Sequence, residues 1–219
     1  MSLIESEKEY WKTLDEQYKQ LLKLYNEIKS NISLSLNKKE ITKTILLRMK
    51  IYYETQNKIK KFLNKRYLSA ASDFFVEAII FYFKLVLEKN KIDYEVHSER
   101  QIRQKRGSIR PDISIWQNDK VIAALECKTQ LGWNRDRWEE DFLEREKKLK
   151  SEFPKAKIFL VVMTSVNWSG FPDDNKKVGK QYFSLSSKWP TDITEENINK
   201  IIMNPIENLF KIIIMNAKK

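Results

Sequence analysis

Cysteine and histidine are all but missing from this chain of 219 residues: Cys127 and His97 are the only ones. A lone cysteine excludes an internal disulfide and a cysteine zinc site, so a reducing, cytoplasmic setting is expected. A lone histidine excludes most histidine-based metal sites and leaves a Ser-His-Asp triad poorly supplied. Only 4 glycines and 5 prolines are present, too few for long disordered linkers, low-complexity tracts or a turn-rich all-β fold. Long apolar runs are also absent. The most apolar window, 74–87, is interrupted by Glu77 and Lys84 and is too short to span a bilayer. The start, Met1-Ser-Leu-Ile-Glu5, is acidic and lacks the basic-then-apolar build of a secretory leader. No GxxxxGK[ST] phosphate loop occurs, which excludes a P-loop motor or ATPase.

What is present is length for one domain with a helical appendage, 42% hydrophobic and 32% charged residues, and a formal net charge of +11 with a pI near 9.5. A basic surface concentrates polyanions and binds phosphates with release of counterions. The position of the arginines says more than the total. Arg100, Arg103, Arg106, Arg110, Arg135, Arg137 and Arg145 fall within 46 consecutive positions, whereas the rest of the chain relies almost wholly on lysine. The planar guanidinium fork suits bidentate contacts to phosphate or base edges, although each of these arginines serves equally well in a surface ion pair.

Periodicity divides the chain. Residues 4–31 carry Tyr10, Leu14, Tyr18, Leu21, Leu22, Tyr25 and Ile28 at three- and four-residue spacing, which predicts a helix. A polar break at 30–37 precedes a second predicted helix, 39–64, so an N-terminal helical hairpin is expected over residues 1–67. A third helix over 69–90, opened by Ser69 or Ser72, is apolar on most of its circumference and is expected to be buried. The period then becomes two. Strands are expected at 94–102, 111–116 and 121–129, with a basic turn at 103–110 containing Gly107 and a tight turn at Asn118-Asp119. A charged helix at 134–150 leads to a strand at 158–163 without alternation, as a strand covered on both faces requires. Residues 165–192 suggest loops with a short strand around Tyr182. A closing helix, 195–215, is interrupted near Pro205. The fold class is α/β, a mixed central sheet flanked by helices.

Within the second and third strands stand Pro111-Asp112, thirteen further residues, then Glu126-Cys127-Lys128. Alternate side chains of a strand share a face, so Glu126 and Lys128 point the same way while Leu125 and Cys127 point into packing, and Asp112 reaches the spot from the neighbouring hairpin strand. Two hard carboxylates suit Mg²⁺, and an ammonium beside them suits the attacking water and the charge building on phosphate. Glu27–Lys29, Glu146–Lys148 and Asp174–Lys176 share the Glu/Asp-x-Lys spacing, but the first two fall in predicted helices, where residues two apart do not face each other, and the third in a loop. An acid and a lysine on a solvated strand face is the plain alternative for Glu126 and Lys128 also.

This constellation resembles the PD-(D/E)xK nuclease superfamily, which includes most type II restriction endonucleases. The likeness covers roughly residues 69–164, within a core assigned to 68–219. It implies a restriction-endonuclease-like sheet, Mg²⁺ held by Asp112 and Glu126 with Lys128 beside them, double-stranded DNA as substrate, and a homodimer cutting a palindromic site. It also implies a further acid from the preceding helix, for which Glu77 is the candidate and Asp73 the rival. Gln130, just past the motif, is a candidate for contact with metal waters or DNA. Arg103, Lys105, Arg106 and Arg110 form a candidate backbone clamp, joined by Arg135. Ser114 shares the face of Asp112, Trp133 and Trp138 suit packing or base stacking, and His97 suits a strand position or a base contact. A repair or transposon-type nuclease, and a basic nucleic-acid-binding protein with an accidental motif, remain open alternatives. Metal dependence separates them.

Overall fold

The computed structural model describes residues 2–104, 106–132, 136–168, 170–172 and 175–217. Helices α1 (Leu3–Asn31), α2 (Glu40–Phe62) and α3 (Ser72–Lys89) precede strands β1 (Glu95–Ser98), β2 (Ile113–Gln117) and β3 (Lys120–Lys128). Helix α4 (Trp138–Glu152), strands β4 (Lys157–Thr164) and β5 (Tyr182–Ser186), and helices α5 (Ile198–Ile201) and α6 (Ile206–Ala217) follow. The five strands form one sheet in chain order. β1, β2 and β3 run antiparallel, while β3, β4 and β5 run parallel. The expected mixed α/β sheet flanked by helices is what forms.

The sheet is covered on both sides. Ile113, Ile115, Leu125, Cys127, Val161 and Phe183 face α2, α3 and α6, whereas Trp116, Ala124, Leu160 and Val162 face α4 through Phe142 and Leu149. Burial of β4 on both faces explains its unbroken apolar run. α3 is buried around most of its circumference, as its composition requires.

Several boundaries differ from expectation for identifiable reasons. β1 covers 95–98 rather than 94–102 because Glu99 takes a φ of 49°, which turns the chain out of the pairing line. α3 starts at Ser72 with Ala71 at its cap position and no side-chain cap, so neither Ser69 nor Ser72 plays the capping role expected of them. The start of α1 is instead fixed by a capping box between Ser2 and Glu5. The closing helix is two helices, because residues 202–204 extend along β5. The N–H of Met203 donates to the Leu185 carbonyl (3.1 Å) and that of Asn204 to the Ser184 carbonyl (2.9 Å). This segment blunts the outer edge of the sheet.

α1 and α2 each pack on α3. Ile41, Ile45, Leu46, Met49 and Tyr53 of α2 join the same core as the sheet. The start of α2 has no cap of its own. The buried Glu207 of α6 supplies one, its carboxylate accepting from the N–H groups of Ile41 (2.8 Å) and Thr42 (3.1 Å) and from the Thr42 hydroxyl. A negative charge at a helix N-terminus is favourable, and it ties the two ends of the chain together. Among the described residues no helix is long and apolar enough to cross a membrane.

Candidate functional site

The β2–β3 hairpin decides where the motif residues meet. Asn118 adopts a φ of 53° in its two-residue turn, and the strands pair with Ile113 opposite Leu125. One step further along this register Asp112 lies opposite Glu126. Pleat parity puts Glu126 and Lys128 on the α4 side of the sheet, with Leu125 and Cys127 directed into the opposite core, whereas Asp112, one residue before β2, lines a cavity walled by α3. The Cys127 N–H donates to Asp112 Oδ2 (2.6 Å), and Lys128 Nζ stands 3.8 Å from the same oxygen. Asp112 is thereby fixed at the sheet end by the backbone of the motif strand.

Two adjoining cavities open here. One of about 560 Å³ is lined by Asp112, Lys128 and Gln130, with Glu77 and Asp73 on its α3 wall. The other, about 160 Å³, is lined by Glu126, Lys128, Trp138, Asp141 and Arg145. Lys128 belongs to both. Glu77 and its rival Asp73 share the larger cavity, so location does not choose between them. Gln130 contributes an amide oxygen that is buried and lacks a hydrogen-bond partner among the described residues. Such an orphaned acceptor is costly unless a donor occupies the cavity beside it.

Glu126 is withdrawn from solvent, its side chain only 4% exposed, and its Oε1 accepts a hydrogen bond from the Arg145 guanidinium at 2.7 Å. Burial pushes its carboxyl up to about 7, opposed by Arg145 and reinforced by the nearby charge of Asp112. The two carboxylates are close enough to repel, a repulsion that a cation relieves. Arg145 was not singled out as a site residue from the sequence. The available signal was its place on α4: it falls between Phe142 and Leu149, the two buried positions of that helix, so a charged side chain lies on the helix's inward stripe.

The basic turn divides. Arg103 stacks on Phe153 (4.4 Å) and reaches Glu152 (3.4 Å) at the far end of α4, so it is directed away from Asp112. Arg106 is exposed. Arg110 lines a third cavity of about 460 Å³ together with Arg145 and Lys148. Lys105, Arg135 and Trp133 lie outside the described residues. Ser114 accepts the Trp116 indole N–H (2.8 Å) and is a buried structural hydroxyl. Trp138 packs edge-on against Phe171 and Tyr182. His97 is held between Glu95 and Arg100 on β1 (2.8 Å to each), and Cys127 is core.

The donor chemistry fits a hard divalent cation, since Asp112 and Glu126 offer carboxylate oxygens and Mg²⁺ takes one or two carboxylates plus waters. Among the described residues no group of three or more His, Cys, Asp or Glu side chains is gathered tightly enough to hold an ion. Glu126 is turned to Arg145, and Asp112 accepts from the backbone of the motif strand.

No family model and no curated protein matches this sequence. A solved structure titled "native BbvCI A2B2 tetramer at low resolution" is 11% identical, with 77% of this chain and 87% of that chain covered and a TM-score of 0.31. A likeness that distant carries no inference about activity.

Proposed function

We propose that the chain is a metal-dependent endodeoxyribonuclease of the PD-(D/E)xK type, most similar in kind to a type II restriction enzyme, acting on double-stranded DNA. The observation that carries this reading is the β2–β3 register, which sets Asp112 against Glu126 with Lys128 two residues on; Asp112 and Lys128 line a cavity bearing Glu77 and Gln130, and Glu126 lines the adjoining one that shares Lys128.

Asp112 and Glu126 are the residues that would hold Mg²⁺, with Glu77 or its rival Asp73 as a further acid. When bound, the cation supplies charge neutralisation at phosphate and acidifies coordinated water. Lys128, half-exposed on both cavities, orients the attacking water and donates to a non-bridging phosphate oxygen as negative charge grows there. The water oxygen bonds phosphorus as one bridging P–O bond breaks; the proton that the water loses passes to solvent, and the leaving oxygen takes one from solvent. Arg145 gives Glu126 its countercharge while no cation is bound. Gln130 offers its oxygen, without a partner among the described residues, to a donor in the same cavity. Arg110, Arg145 and Lys148, interleaved with Asp141 and Glu144, line the cavity beside the site and offer cations to a DNA backbone there.

Incubation with phage and plasmid DNA in Mg²⁺ or in EDTA tests this reading. Discrete fragments in Mg²⁺ alone are the expected result for a restriction-type enzyme. A smear would transfer it to a repair-like branch. Binding without cleavage on DNA of varied sequence would leave a basic nucleic-acid-binding protein.

A further inference from the structure

Every residue from Ser2 to Gln20 is exposed, so the first five turns of α1 project from the body. A helix of that length is marginal in water without tertiary support. Along it, Ile4, Trp11, Leu14 and Tyr18 follow a strict heptad seam that continues through Leu21, Tyr25 and Ile28. The body already covers the far end of the seam: Ile28 is buried, and the Tyr25 ring meets Phe81 edge-on at 5.4 Å. The near end is bare. Ile4 is 63% exposed, Trp11 50%, Leu14 49% and Tyr18 65%.

We infer that this seam pairs antiparallel with α1 of a second copy of the chain. DNA is a poor occupant, since residues 2–20 carry five acids against three lysines on an otherwise basic protein. A 3.5-residue apolar period is the pattern a two-stranded coiled coil buries. Orientation follows from Glu7, which occupies a seam position. Parallel pairing sets Glu7 against Glu7 of the other copy. Antiparallel pairing with Trp11 opposite Leu14 sets Glu7 opposite Tyr18, whose hydroxyl can donate to the carboxylate. The same register brings Lys8, on one flank of the seam, beside Asp15 of the other copy, twice over by symmetry.

Sedimentation of the full chain over a concentration series, in EDTA and without DNA, tests this independently of the nuclease reading. The wild type is expected to dimerise, and Trp11→Glu/Leu14→Glu to raise the dissociation constant at least a hundredfold with an unchanged melting temperature of the body. Under oxidation Lys8→Cys/Asp15→Cys is expected to give a cross-linked dimer, and either single variant none. A wild type monomeric at all concentrations would overturn the inference, as would a dimer indifferent to the double glutamate variant. A dimer that fails to cross-link would overturn the antiparallel register. If the double glutamate variant keeps the sedimentation mass of the wild type but loses affinity in a separate titration with duplex DNA, the inference is overturned and α1 is assigned to DNA.

Discussion

Burying Glu126 while leaving Lys128 at the rim places two residues of one motif in different surroundings. Arg145 is what makes the buried carboxylate tolerable. Arg145→Ala is therefore expected to cost about 1–3 kcal/mol near pH 8, less than a fully buried pair because the guanidinium is partly solvated. In a Glu126→Gln background that cost should largely vanish, which a double-mutant cycle by denaturant unfolding checks. The pH dependence has a definite sign. The Glu126 carboxyl is raised from 4.5 to about 7, so the folded state binds the proton more tightly than the unfolded chain. Its contribution is fully present below pH 4.5 and is lost as pH rises through 7, at most about 3 kcal/mol across that window. Relative to wild type, Glu126→Gln should gain stability as pH rises from 4.5 to 7, and a flat difference would contradict this protonation scheme.

The elements were legible where periodicity is strong and local. α1, α2, the β2–β3 hairpin and β4 lie within a few residues of where spacing puts them, because side-chain alternation and helical stripes encode which face is buried. What sequence could not show is long-range. The 202–204 segment interrupts a helix-like pattern because β5 offers it an edge to pair with. The apolar stripe of α1 signals a helix but not that its first five turns are bare. The motif positions and their shared face were readable from parity, whereas the turn of Glu126 toward α4 and of Arg103 toward Glu152 depends on where α4 docks. Glu207 is another such case, an acid 165 residues from the helix it caps. Glu207→Ala removes the partner of two buried N–H groups and should cost about 2–4 kcal/mol, measured as a lowered denaturation midpoint at unchanged slope.

Across the whole molecule, the sheet serves as a rigid platform whose open end gathers acids from α3, β2 and β3 and arginines from α4 and the turn before β2. Excess positive charge lies with the arginine-rich stretch and the lysine-rich helices, while the projecting part of α1 is acidic. That division suits one surface for a polyanion and another for a protein. In the proposed function Lys128, Asp112 and Glu126 act as one metal-dependent phosphodiesterase site. Cleavage of phage DNA in Mg²⁺ by wild type and by Lys128→Ala, at concentrations where both bind DNA equally, tests it most directly. A loss of at least about a hundredfold in the variant, with DNA binding retained, is the expected outcome for a group acting on the reacting phosphate. Cleavage by Lys128→Ala at the wild-type rate, or no cleavage by wild type in Mg²⁺, would rule out such a site.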